Sequence, residues 1–159
     1  IGHMQSNKVK YIAPFVALIH SVDSMKLLEE IDKQGKKAGR IIPCLLQVHI
    51  AMEETKFGFD ADEVISLLLG SSLLQLKNIE VKGLMGMATF TEDEELIHKE
   101  FRSLKRIFNN LKERILPSNV KMEELSMGMS SDYKIAVQEG STYVRIGTAI
   151  FGERNYSTN

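Results

Sequence analysis

Two short loops near the end of the chain contain the residues best suited to binding an anion. Ser130 and Ser131 follow an apolar segment, at the point where a helix is expected to begin. A helix start presents unpaired backbone N–H groups and the positive end of the helix dipole, which together suit a phosphate. The second loop, residues 147–152, begins with Gly147, where a ligand can approach the backbone closely because glycine has no side chain. Arg145 lies between the two loops, so the sequence predicts one anion shared by two strand-to-loop units.

The composition limits the class of protein. The chain has 159 residues with 20 basic and 21 acidic side chains, and its formal charge of −1 argues against a nucleic-acid-binding surface. Cys44 is the only cysteine, so the sequence has no disulfide framework and no cysteine-based metal site, and we interpret Cys44 as a small buried hydrophobe. No apolar run approaches the roughly 18 residues of a membrane helix, and no secretory signal is visible. We therefore expect a soluble cytoplasmic domain without a metal ion.

Strand and helix patterns alternate along the whole chain. Short apolar runs predict strands over residues 16–20, 41–50, 81–90, 120–128 and 142–151. Capped or amphipathic segments predict helices over residues 6–14, 25–38, 60–69 and 93–116, and a further short helix that ends at Gly140. Gly83 and Gly86 within the third strand indicate close approach by a neighbour or a ligand. No two strands are joined by a hairpin turn, so this order predicts a parallel sheet covered by helices.

Two architectures fit such a sheet: an open doubly wound sheet and part of an eight-unit barrel. The length favours the open sheet, because a complete barrel needs roughly 200 residues or more. The anion site favours the barrel, because barrels commonly bind phosphate in the loops after their last two strands. An open sheet more often binds phosphate in a glycine-rich turn after its first strand. The two indications disagree unless the chain lacks the front of a barrel.

Several longer motifs resemble the pyridoxal phosphate homeostasis protein family, whose members are single-domain relatives of the alanine racemase N-terminal barrel. The strongest are Leu-Ser-Met-Gly-Met-Ser at residues 125–130 and Gly-Ser-Thr-Tyr-Val-Arg-Ile-Gly-Thr-Ala-Ile-Phe-Gly-Glu-Arg at residues 140–154. Further matching stretches occupy residues 1–8, 19–23, 45–48, 55–58 and 83–87. The resemblance extends from residue 1 to residue 156 and preserves the order of the motifs.

The resemblance implies a (β/α)8 barrel of the TIM type that binds pyridoxal 5′-phosphate (PLP) at its C-terminal mouth. It also implies that residues 1–159 form the C-terminal two thirds of a single PLP-binding domain, truncated to about the last five to six βα units. The first two units of the family, and with them the lysine that forms a Schiff base with PLP, are then missing from this chain. No catalytic residue is therefore expected here. Residues 1–2 are interpreted as the end of the third family strand, and Gly-His-Met at residues 2–4 as native sequence rather than a cloning scar.

The resemblance assigns five residues to the cofactor. Ser130 and the backbone N–H groups of Gly147 and Thr148 are expected to hold the phosphate. Arg145 is expected to face the pyridine nitrogen, where a permanently cationic guanidinium keeps that nitrogen unprotonated and weakens the ring as an electron sink. Met129 is expected either beside the ring or in the core. The alternatives are a structural ion pair on the barrel rim for Arg145 and a plain helix N-cap for Ser130.

These expectations favour a protein that binds PLP without catalysis and buffers it or delivers it to PLP-dependent apo-enzymes. The alternative is a PLP-dependent amino-acid racemase, which needs a base on each face of the cofactor. Alanine racemases supply one base from a second domain, and only three residues follow Tyr156 here, which favours the carrier. A phosphate-binding open sheet unrelated to PLP is a third candidate. We also expect self-association, or pairing with the missing segment, because exposed sheet edges and apolar surface drive association.

A few other polar residues could take part in chemistry. Lys8 and Lys56 could substitute for the missing amine, and both are predicted to be surface or structural residues. His20 and His49 lie on apolar strands and are predicted to be core histidines bonded to the backbone. The adjacent glutamates at residues 53–54 could form an acid–base pair but are predicted to be solvated.

Overall fold

Five parallel strands form one sheet in the computed structural model, which describes residues 1–52 and 57–152 of the chain. The strands follow one another across the sheet in chain order: β1 (Ile19–Val22), β2 (Ile42–Gln47), β3 (Ile79–Met85), β4 (Val120–Met129) and β5 (Tyr143–Arg145). A doubly wound sheet reverses its strand order, whereas this order runs in one direction only. The sheet is therefore a half-barrel, and the open doubly wound alternative is wrong.

Helices follow the strands along the chain. Their bounds are α1 (Val9–Ile12), α2 (Met25–Ala38), α3 (Ala61–Leu69), α4 (Glu94–Lys112), α5 (Tyr133–Gln138) and α6 (Thr148–Phe151), with 3₁₀ turns at Ser6–Lys8 and Ser72–Gln75. Within the described ranges, no helix combines the length and the apolar character needed to cross a bilayer. The expectations for Glu53, Glu54 and Lys56, and the part of the family motif after Gly152, lie outside the described residues.

The curvature of the sheet brings its two edge strands together. The rings of His20 on β1 and Tyr143 on β5 meet edge to face, with centroids 5.7 Å apart and an interplanar angle of 89°. Three strands lie between these two in the sheet. A flat sheet would hold its first and fifth strands about four strand spacings apart, or nearly 20 Å, so the half-barrel is strongly curved.

Local signals place most helix ends where the sequence predicts them. Helix α2 ends at Gly39, which adopts a left-handed conformation (φ 64°), and its N–H bonds to the carbonyl oxygens of Gly35 and Lys36. Helix α3 begins with a capping box in which the Asp60 N–H donates to the Glu63 carboxylate at 2.8 Å. The structure confirms the predicted bounds of α2 and α3. These bounds were predictable because the residues that start and stop each helix lie within one turn of its ends.

Helix α4 supplies the largest apolar stripe, and it ends earlier than predicted. Five of its apolar residues are buried, namely Ile97, Phe101, Leu104, Phe108 and Leu111. The sequence pattern extends this stripe to Ile115, but that side chain is 99% exposed. The Arg114 N–H bonds to the Leu111 carbonyl, three residues back, which tightens the last turn and ends the α-helix at Lys112.

Two strand predictions are also corrected by the structure. Strand β1 begins at Ile19 rather than at residue 16, because the N–H groups of Phe15 and Val16 still bond to the carbonyl of Ile12 at the end of α1. Strand β5 ends at Arg145, and residues 148–151 of the predicted strand form α6 instead. That helix forms because the N–H groups of Ile150 and Phe151 both bond to the Gly147 carbonyl.

Cys44 lies on β2 in the apolar core and is fully buried. Burial, with a smaller contribution from the charge of Glu80, raises the pKa of its thiol to about 12. A thiol with such a pKa forms almost no thiolate at neutral pH, and the thiolate is the reactive form. The prediction that Cys44 acts as a small hydrophobe is confirmed.

Candidate functional site

The carboxyl ends of all five strands lie along one edge of the half-barrel, which we call the C-terminal edge. The sheet register sets the last residue of β4, Met129, opposite the last residue of β5, Arg145. The loops that follow these two strands therefore emerge side by side. The two loops singled out in the sequence are brought together by this register rather than by their separation along the chain.

Ser130 joins these loops. Its hydroxyl oxygen accepts hydrogen bonds from the backbone N–H groups of Gly147 at 3.2 Å and Ala149 at 3.3 Å. The interpretation of Ser130 as a helix N-cap is wrong, because α5 begins at Tyr133 and its N-cap position is occupied by Asp132. The sequence analysis predicted Gly147 next to Ser130 at this site but not Ala149, whose only signal is its place two residues further on.

The space above the second loop is open. A Cβ atom built on Gly147 would meet no other atom within 4 Å. Thr148 is exposed, and its N–H has no acceptor among the groups that the structure describes. The missing side chain of Gly147 and the N–H of Thr148 thus leave room and a hydrogen-bond donor for a ligand approaching from the C-terminal edge.

Arg145 is buried inside the half-barrel, with 8% of its surface exposed. Its Nη1 donates to the Ser126 hydroxyl at 2.8 Å and its Nη2 donates to the Gly86 carbonyl at 3.0 Å. Burial lowers the pKa of the guanidinium, and the charge of the Asp132 carboxylate acts in the opposite direction. An arginine remains cationic in proteins even so. In the described part of the chain no carboxylate bonds to Arg145, so the rim ion pair is wrong.

His20 adds a third polar residue to this interior. Its Nδ1 lies 3.0 Å from the Ser126 hydroxyl oxygen, and its side chain is buried. Burial and neighbouring positive charges, including that of Arg145, lower the pKa of His20 to about 4. The expectation of a core histidine is confirmed, but its partner is a side-chain hydroxyl rather than the backbone. The sequence analysis did not predict Ser126 as a site residue. Its only signal is that a polar side chain stands among the apolar residues of β4.

A cavity of about 310 Å³ opens at the same edge. Met129 lines it together with other residues from the ends of β2 and β3, among them Gln47, His49 and Met87. Of the two expectations for Met129, beside a ligand or in the core, its position favours the first. His49 is half-buried at the cavity wall rather than in the core, because it follows the last residue of β2.

Two other expectations concern groups away from this edge. Lys8 is exposed on the first 3₁₀ turn, and its ammonium lies 5.8 Å from the centroid of the Tyr11 ring, as expected for a surface lysine. Across the described ranges, no group of three or more His, Cys, Asp or Glu side chains is arranged to hold a metal ion.

Comparison with known proteins places this chain in a family. The model of the alanine racemase N-terminal domain matches residues 1–155. A pyridoxal phosphate homeostasis protein from Aquifex aeolicus is 40% identical over 156 residues, which cover 98% of this chain and 66% of that protein. The chain therefore belongs to the alanine racemase N-terminal domain family, among the pyridoxal phosphate homeostasis proteins. It spans slightly less than two thirds of the length of the Aquifex relative.

Two solved structures of PipY from Synechococcus elongatus show the same arrangement. The structure without PLP superimposes with a TM-score of 0.84 at 33% identity, covering 96% of this chain and 69% of PipY. The structure with PLP bound superimposes with a TM-score of 0.80 at 32% identity, covering 96% of this chain and 68% of PipY. The half-barrel is thus part of a fold that occurs both with and without the cofactor.

Proposed function

We propose that this chain belongs to a cytoplasmic protein that binds PLP without catalysing a reaction and that buffers PLP or delivers it to PLP-dependent apo-enzymes. The observation that carries the proposal is the meeting of Ser130 with the Gly147–Ala149 backbone next to the buried Arg145. The names of the relatives support it, because one is a PLP homeostasis protein and another is PipY with PLP bound.

The phosphate end of PLP fits the two loops. Ser130 contributes a hydroxyl, and Gly147, Thr148 and Ala149 contribute backbone N–H groups around one open space. Successive backbone N–H groups and hydroxyls are common ligands of phosphate groups in proteins. In the proposed complex the phosphate oxygens take over as acceptors of these N–H groups, and the Ser130 hydroxyl turns to donate to one of them.

The ring end of PLP fits Arg145. When bound, PLP supplies an aldehyde that condenses with amines and a pyridine ring that withdraws electrons. A guanidinium has five N–H donors and no acceptor, and the described residues accept from only two of its nitrogens. The remaining donors are available to the ring nitrogen, which Arg145 can hold as an acceptor but cannot protonate. A ring held unprotonated is a weak electron sink, which suits a carrier better than an enzyme.

The same proposal includes the finer architecture. We propose that β1 to β5 are consecutive strands of a (β/α)8 barrel, in a single domain that extends over residues 1–159. The one-directional strand order and the strong curvature support this reading, as does the match to the alanine racemase N-terminal domain. Met129 then faces the ring from the wall of the 310 Å³ cavity.

Binding is tested with pyridoxine 5′-phosphate, which has the ring and phosphate of PLP but no aldehyde. Its affinity reports on Ser130 and Arg145 independently of any lysine. We expect saturable binding by calorimetry. Ser130→Ala removes one hydrogen bond to a charged group, worth about 1.5–3 kcal/mol, so its Kd rises about 10- to 100-fold. Ser103→Ala is the matched control, since Ser103 is exposed on α4 and lies outside both loops, and its Kd stays unchanged. Absence of binding, or equal Kd values for Ser130→Ala and wild type, refutes the proposal.

The absence of catalysis is tested separately. The chain, PLP and L-alanine are incubated in D2O, and exchange of the α-proton and formation of D-alanine are followed by NMR and chiral chromatography. We expect no rate above that of free PLP. A faster rate that is lost in Arg145→Met would establish racemase-like activity instead.

A further inference from the structure

Three buried polar side chains form a continuous path across the interior of the half-barrel. Arg145 on β5 donates to Ser126 on β4 at 2.8 Å, and Ser126 lies 3.0 Å from the Nδ1 of His20 on β1. Their exposed fractions are 8%, 0% and 7% respectively. The path joins the first strand to the fourth, which are not neighbours in the sheet. We call it the His20–Ser126–Arg145 relay.

The chemistry of the three groups fixes the direction of the hydrogen bonds. A guanidinium can only donate, so the Ser126 oxygen must accept from Arg145. The hydroxyl hydrogen of Ser126 then needs an acceptor, and His20 Nδ1 is the only one within reach in the described part of the chain. If His20 carried a proton on Nδ1 instead, the buried hydroxyl hydrogen would have no acceptor, at a cost of about 1–3 kcal/mol. His20 is therefore neutral and protonated on Nε2.

We propose that His20 and Ser126 are positioning residues that fix the Arg145 guanidinium toward the ring nitrogen of bound PLP. This inference rests on the proposed function, because the ring nitrogen is the group that Arg145 is positioned to meet. The Gly86 carbonyl fixes one end of the guanidinium, and Ser126, itself held by His20, fixes the other. With both ends of the guanidinium held, its remaining N–H groups point in one fixed direction.

The surroundings of the relay keep His20 neutral. The Tyr143 ring packs edge-on against the imidazole. The charged groups that act on it are the N-terminal ammonium of Ile1 and the Arg145 guanidinium, while the Asp132 carboxylate acts on Arg145 from the side of α5. A second positive charge on His20 would be buried beside the guanidinium and would also remove the acceptor that Ser126 needs. The relay therefore holds the arginine only while His20 is uncharged.

The first test needs no ligand. Long-range ¹⁵N–¹H NMR spectra identify the tautomer of each histidine, and the His20 signals are assigned by their loss in His20→Asn. We expect His20 as the Nε2–H tautomer at pH 7 in the 159-residue chain. In Ser126→Ala its Nδ1 loses its donor, so we expect a shift in the Nδ1 resonance. A wild-type His20 protonated on Nδ1 overturns the relay.

The second test uses pyridoxine 5′-phosphate and follows the pH at which the ring nitrogen of the bound ligand takes up a proton, from its absorbance. Ser126→Ala and His20→Phe release Arg145, so we expect the midpoint to rise by about one unit, as when a neighbouring charge moves away. His20→Asn retains an acceptor oxygen near the position of Nδ1, and we expect it to restore the wild-type midpoint. Ser103→Ala is the control, and competition by inorganic phosphate should be unaltered in all variants.

The outcomes separate the two proposals. If the wild-type chain does not bind pyridoxine 5′-phosphate, the proposed function fails, and the tautomer of His20 alone decides whether the relay exists. If the wild type binds and Ser126→Ala has the same midpoint, the positioning role is wrong while the proposed function stands. Should His20→Phe fail to fold, the contrast between Ser126→Ala and His20→Asn decides the question.

Discussion

Replacing Gly83 by alanine should destabilise the chain more than the same change at Gly86 or Gly147. Gly83 lies on β3 opposite Glu124 of β4, where the register of the two strands shifts. Its φ is +151°, which side chains rarely allow, and a Cβ built on it would lie 1.8 Å from the Glu124 carbonyl oxygen. That oxygen belongs to the backbone of a paired strand and cannot rotate away. The sequence predicted close approach by a neighbour or ligand here, and the neighbour is β4.

The size of the effect follows from two contributions. A residue held in a disfavoured backbone conformation costs about 1–3 kcal/mol, and displacing a packed neighbour costs about another 1–3 kcal/mol. We therefore expect Gly83→Ala to lose about 2–6 kcal/mol, a large part of the roughly 5–15 kcal/mol that stabilises a typical domain. Urea denaturation followed by circular dichroism measures this as a lower midpoint with an unchanged slope.

Two matched variants make this prediction specific. A Cβ on Gly86 would meet only the side-chain ends of Leu104 at 2.7 Å and Ile50 at 2.9 Å, which can move, so Gly86→Ala should cost less than Gly83→Ala. Gly147→Ala meets nothing and should leave the unfolding free energy within about 0.5 kcal/mol of wild type. A Gly83→Ala variant as stable as Gly147→Ala would show that β3 and β4 do not pair in this register.

Three further predictions concern binding, pH and association. Gly147→Ala should weaken pyridoxine 5′-phosphate binding at least about tenfold by calorimetry, because its methyl group enters the open space proposed for the phosphate. His20, with a pKa of about 4 against an ordinary 6.5, should make the chain less stable as the pH falls from 6.5 to 4, since only the unfolded state takes up the proton in that window. Urea titrations of His20→Asn should show a flatter pH dependence. Val144→Lys should reduce self-association in concentration-dependent light scattering, because it puts a charge on edge strand β5.

Each of these has a result that would contradict it. Unchanged affinity in Gly147→Ala would remove that loop from the phosphate site. Parallel pH profiles for wild type and His20→Asn would mean that His20 titrates alike in both states. For association the matched control is Val137→Lys, an exposed valine on α5 away from the strand edge. Equal effects of the two lysine variants would assign association to general surface charge rather than to the edge.

The parts of this fold that the sequence predicts are those whose causes are local. Helix α2 and its stop at Gly39 follow from an apolar stripe and one left-handed glycine, and α3 follows from a capping box. The two loops of the site were also visible as Ser130 and Gly147 after apolar runs. The strand ends were less predictable. Strand β5 ends at Arg145 because the residues after it form α6, whose N–H groups bond back to the Gly147 carbonyl.

The parts that the sequence could not predict depend on contacts between distant segments. His20 and Ser126 are 106 residues apart, and nothing near either residue indicates that they meet. Their contact follows from the curvature of the whole sheet. From the residues alone, the chain length favoured an open doubly wound sheet, whereas the position of the anion site favoured a barrel. The strand order excluded the doubly wound sheet.

The choice of neutral partners for Arg145 bears directly on what this edge can bind. A buried arginine usually has a carboxylate partner, which neutralises its charge and offsets the loss of solvation. Here the partners are the Ser126 hydroxyl and the Gly86 carbonyl. The Asp132 carboxylate acts on Arg145 through its charge, without a hydrogen bond between them. Burial also disfavours the charged form of His20, so this histidine adds no second positive charge beside the guanidinium. In the described part of the chain, the interior therefore presents a guanidinium without a directly bonded carboxylate at the C-terminal edge. In the proposed complex, the electron-rich ring nitrogen and the nearby phosphate of PLP are the groups that would balance this charge.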